Sequence, residues 1–131
     1  MTQTMRPLRA AAAALTLALA ALGANSVMAH GAAKPQHGGI VQTAADLSFE
    51  LVGSANGATI YVIDHDDAYE TTGMTGKLTV LNGSEKTEAE LKPAGGNKLD
   101  ATGVKLGKGA KVVAALVTSG KKTITVRFAM K

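Results

Sequence analysis

The chain has 131 residues, no cysteine and a formal charge of +4. Its length suits one domain. The missing cysteines exclude disulfides, thiolate metal sites and a thiol nucleophile. Two Tyr, two Phe and no Trp leave too few aromatic faces for a surface on which nucleic-acid bases could stack.

Met1 to Arg9 carries Arg6 and Arg9 and no acid. Ala10 to Leu22 follows, apolar except for Thr16. A core this short does not cover the roughly 30 Å of a bilayer interior. Gly23, Asn25 and Ser26 come next, and then Val27-Met28-Ala29, which fits a signal peptidase site after Ala29. The expectation is a cleaved secretory signal peptide over residues 1–29 and a periplasmic location; an uncleaved N-terminal anchor is the alternative. Cleavage leaves 102 residues with a net charge of +2 and His30 at the new N-terminus.

Residues 30–39 (HGAAKPQHGG) have no hydrophobic period and hold Pro35 and a glycine pair, which reads as a flexible His/Gly arm. Residues 40–131 form the expected domain. In Asp46 to Val52, Leu47, Phe49 and Leu51 alternate with Asp46, Ser48 and Glu50. Asn56-Gly57 signals a turn. Thr59 to Asp64 is β-branched and aromatic, and is expected to be buried on both faces. Lys77–Asn82, Lys86–Lys92 and an edge strand at Lys98–Ala101 follow. Lys111 to Val117 is continuously apolar after its lysine, as in a strand covered on both faces. Thr123 to Met130 alternates and should form a hairpin with it. About seven short strands with Gly-rich turns predict an all-β, antiparallel, immunoglobulin-like sandwich.

Charge is split along the chain. Residues 30–97 carry a net −5 and residues 98–131 a net +7. Such a division either serves solubility or guides docking on a polar partner.

Three places could bind metal. His30, once freed, would offer an α-amine and an imidazole on one residue, a chelate suited to Cu(II) with its preference for nitrogen donors. His37 lies seven residues on, among flexible glycines. Asp64-His65-Asp66-Asp67 ends a strand, and carboxylates around a histidine suit zinc or copper. The spacing is not that of an EF-hand. For each, the plainer alternative is a solvated arm or hairpin tip. Met74 stands alone and reads as packing. Ser48, Ser54, Ser84 and Ser119 sit in strands or turns without a G-x-S-x-G elbow. No phosphate-cradling glycine loop precedes a helix, so no enzyme class is indicated.

His37-Gly38-Gly39, Phe49-Glu50-Leu51-Val52, Tyr61-Val62-Ile63-Asp64 and Gly76-Lys77-Leu78-Thr79-Val80, with the Thr123–Phe128 end strand, resemble small secreted proteins that accompany heavy-metal efflux systems in Gram-negative bacteria, and segments of their periplasmic adaptor subunits. A looser resemblance is to periplasmic copper-resistance carriers with an N-terminal histidine ligand. These likenesses imply a periplasmic metal-related role. The expected function is a copper-binding carrier or buffer, with zinc as an alternative metal, using His30, His37, Asp64, His65 and Asp66. The competing expectation is a non-metal module that docks on an efflux adaptor or another envelope partner. Neither nucleic acid nor, after signal cleavage, a membrane is expected as a partner.

Overall fold

A computed structural model describes residues 33–131. Residues 1–29, expected to be a signal peptide, and His30 lie outside the described residues. Nine strands follow in chain order: β1 (Ile40–Ala44), β2 (Leu47–Ser54), β3 (Gly57–Asp64), β4 (Asp67–Ala68), β5 (Thr75–Asn82), β6 (Glu85–Pro93), β7 (Lys98–Thr102), β8 (Lys111–Val117) and β9 (Thr123–Ala129). The described residues contain no helix. All pairings are antiparallel.

The strand order is β1-β2-β3-β7-β6-β5-β8-β9, with the two-residue β4 attached to β3. β5, β6 and β7 run as a meander that returns to lie beside β3, a Greek-key arrangement. β6 belongs to both halves. It pairs with β5 over most of its length, and its last residues, Lys92 and Pro93, pair with β7. The chain after β7 then crosses to place β8 against β5. β1 and β9 approach each other at the remaining gap without a strand pairing. The result is one continuous sheet curled into a nearly closed barrel.

This architecture corrects the expected strand count and layering. The seven anticipated strands are present, though β7, expected at an edge, lies between β3 and β6, and β1 and β4 are additional. An immunoglobulin-like sandwich keeps two separate sheets, whereas here the shared strand β6 joins the halves.

Alternation drives the closure. Phe49 and Leu51 of β2, Ile60 and Val62 of β3, Leu78 and Val80 of β5, and Ile124, Val126 and Phe128 of β9 all point into one core. Met74 is buried there too, as a packing residue. β8 departs from expectation. Val112, Ala114 and Leu116 are buried, but Val113 and Val117 are half-buried and Ala115 is exposed. Its outer face is therefore uncovered; the apolar run reflects small residues on that face, not a second layer over it. β3 lies between these cases. Ile63 is buried on its outer face, while Thr59 and Tyr61 are half-buried.

Candidate functional site: a buried carboxylate under the arm

β2 places Ser48 and Glu50 on its outer face, opposite Phe49 and Leu51. Such positions ordinarily meet water. Here Glu50 has no exposed surface and Ser48 is also buried, because residues 33–39 pass over them. The Ala33 amide donates to Ser48 Oγ at 3.3 Å. Glu50 receives most of the attachment. Its Oε1 accepts from the Gln36 amide at 2.9 Å, and its Oε2 accepts from the amides of His37 at 2.8 Å and Gly39 at 2.9 Å. Nδ1 of His37 lies 3.1 Å from Oε1.

The local sequence makes this wrap possible. Gly38 has a φ of +72°, a conformation that costs a side-chain-bearing residue energy. A Cβ on Gly39 would collide with the Leu51 carbonyl oxygen and with the Val52 and Glu50 side chains. The glycine pair thus lets the backbone turn and lie directly on β2.

β3 supplies the third component. Tyr61 is the cross-strand partner of Glu50, and the His37 ring stacks on its ring at a centroid separation of 3.6 Å and an interplanar angle of 3°. His37 is therefore fixed by a carboxylate at one nitrogen and an aromatic face beneath it. About 40% of its side chain stays exposed.

Burial alone would raise the Glu50 pKa. The donors from Gln36, Gly39 and His37 outweigh that effect and hold it below the usual value of 4.5. A carboxylate so surrounded stays ionised at neutral pH and acts as acceptor only. In a neutral imidazole the Nδ1 facing it carries the proton. The lone pair then resides on Nε2, on the other side of the ring.

Asp64, His65 and Asp66 occupy a different place, the β3–β4 turn, and all are exposed. His65 has a φ of +57°. Its Nδ1 lies 2.7 Å from Asp64 Oδ1. This hydrogen bond and the Asp64 charge raise the His65 pKa above 6.5, with smaller help from Asp46 and Asp66. Asp46, in the β1–β2 turn, lines one concavity together with His65. Among the described residues, no three or more His, Asp or Glu side chains converge as a metal cage. The turn supplies a carboxylate–imidazole pair instead.

The arrangement brings together His37 of the arm, Glu50 of β2 and Tyr61 of β3. The alternation of β2 assigned Glu50 to the solvent side, so sequence reasoning missed its role and that of Tyr61. The available signal was the His-Gly-Gly step ahead of a strand with a carboxylate on its outer face. No family model, curated protein or solved structure matches the chain.

Proposed function

We propose that this protein, exported and trimmed after Ala29, is a periplasmic carrier or buffer for a borderline divalent metal, copper(II) first and zinc second. The observation that carries this reading is the Glu50–His37 pair. A histidine that ligates metal through one nitrogen almost always gives its other N–H to a carboxylate or carbonyl, which sets the tautomer and the ring direction. Glu50 supplies that carboxylate, and stacking on Tyr61 restrains the ring further.

His37 alone makes a weak site, and His30 would complete it. An extended chain covers at most about 3.3–3.6 Å per residue. The three-residue step from His30 to Ala33 thus keeps the two within roughly 10 Å. Ala33 is tied to Ser48, two residues along β2 from Glu50. On this reading the α-amine and imidazole of His30 join Nε2 of His37 at one ion. Asp64, His65 and Asp66 form a second, weaker candidate set on the β3–β4 turn.

The test is a copper(II) titration of the secreted protein, followed by intact mass and visible absorption. One equivalent should bind to the chain that begins at His30. An added glycine before His30 converts the amine to an amide and should weaken binding at least tenfold. Equal affinity in the two forms overturns the proposal.

A further inference from the structure

We infer that the outer face of β5, β8 and β9 is a docking surface for a protein partner that presents small apolar side chains between carboxylates. This inference does not depend on metal binding.

The barrel treats its two outer faces differently. The arm covers the face of β2 and β3. On the other half no described segment covers β8, although its sequence is apolar from Val112 to Val117. The ladder aligns Leu81, Lys111 and Ala129 in one row, Thr79, Val113 and Arg127 in the next, and Lys77, Ala115 and Thr125 in the third. Leu81 is the one large hydrophobic residue exposed among the described residues, at 38%. Val113 is half-buried, and Ala115 and Ala129 are exposed.

Charge selects the occupant. The outward positions of β5, β8 and β9 include Lys77, Lys111 and Arg127 and no acid. Lys77 is paired with Glu88 of β6 at 2.8 Å. Lys111 and Arg127 are exposed and have no ion-pair partner among the described residues; both stand in rows with apolar neighbours. In a two-fold dimer confined to these three strands, Lys111 and Arg127 would face a copy of the same acid-free surface, and like charges across a contact oppose association. Membrane-surface binding relies on large side chains such as Trp, Phe and Leu, and this face offers Leu81 alone. The short Ala, Val and Thr side chains on this outer barrel face instead allow close approach of a partner segment whose carboxylates meet Lys111 and Arg127. Three strands about 4.8 Å apart and some seven residues long make a patch near 10 by 24 Å. That is smaller than a standard interface of about 800 Å² per partner, so the contact should be transient.

The test installs a photo-crosslinking amino acid at Ala115 of the full exported chain in its own cells, with Ala55 as the control position. The inference expects a discrete adduct from position 115 only, with the cross-linked partner peptide, identified by mass spectrometry, containing Asp or Glu. Lys111→Glu with Arg127→Glu should reduce the adduct at least tenfold, while Lys111→Arg with Arg127→Lys should retain it. Both positions are exposed, and an unchanged melting temperature verifies that the barrel is intact. No adduct, an adduct with a second copy of this chain, or an adduct indifferent to the charge reversal overturns the inference. Binding of the purified full chain to phosphatidylglycerol vesicles that is lost on the same reversal also overturns it, in favour of a membrane.

Discussion

Replacing Glu50 by Gln keeps the shape of the side chain and removes its charge. The carboxylate accepts two hydrogen bonds at each oxygen: Gln36 N–H and His37 Nδ1 at one, His37 N–H and Gly39 N–H at the other. An amide retains only one accepting oxygen and turns an NH₂ toward the remaining two donors. An unsatisfied buried donor costs about 1–3 kcal/mol; two sum to about 2–6 kcal/mol, and because these donors are only part-buried the loss falls in the lower part of that range, about 2–4 kcal/mol. The barrel core does not include these atoms. The cheapest response is for the arm to lift and let water satisfy the donors. Hydrogen exchange at the Gln36, His37 and Gly39 amides should therefore accelerate roughly 30- to 1000-fold, since each 1.4 kcal/mol is tenfold. Amides in β8 and β9 should keep their protection. Unchanged exchange at residues 36, 37 and 39 in a folded Glu50→Gln protein would refute the claim that this carboxylate holds the arm.

The same attachment should respond to acid. Glu50 has a folded pKa below its ordinary value, so its contribution is fully present above about pH 4.5 and disappears as pH falls through the folded pKa. Arm amides should lose protection below pH 4.5 before the barrel amides do; simultaneous loss would contradict this order. Gly39→Ala should displace the arm through collision with the Leu51 carbonyl, with the His37–Tyr61 stacking lost from ring-proton NMR shifts; an unaltered spectrum would count against that close approach. His65 should titrate above 6.5, and Asp64→Asn should bring its midpoint down toward that value. Because the folded pKa is raised, the small stabilisation from this exposed pair is present below the ordinary histidine range and fades as pH rises through the folded pKa.

Period-two alternation made β2 and β9 legible, because a half-buried strand must place its apolar residues on one face. It failed where a face was covered by something local or left bare. Lys111–Val117 reads as a strand buried on both sides, yet Ala115 is exposed; composition does not distinguish a second layer from a docking face. Ile40–Ala44 lacks a long alternating run, and its pairing with β2 is a long-range choice that no five-residue window reveals. Barrel closure also escaped, since it depends on β6 pairing with β5 over most of its length and with β7 at its end. At the site, His37 was legible by residue type. Glu50 was not, because a glutamate on the polar face of a strand looks like any other until chain from outside the barrel folds over it.

Why a carboxylate holds this arm follows from the arm itself. Lys34 to Gly39 offers no large apolar side chain, so hydrophobic burial cannot dock it. Its available attachments are polar, and most of the hydrogen bonds that hold it come from backbone amides. That division separates two roles that Glu50→Gln would disturb together. His37→Ala removes one of the four hydrogen bonds to Glu50 and leaves the three from the backbone amides of residues 36, 37 and 39 in place. Arm exchange should then quicken less than in Glu50→Gln, because the three backbone donors keep their carboxylate although the stacking on Tyr61 is lost, whereas copper affinity should fall at least tenfold if the ring is a ligand. If affinity in His37→Ala matches the unaltered protein while the arm stays protected, the imidazole serves only to pack on Tyr61, and the Glu50 contact is an architectural device with no metal chemistry attached.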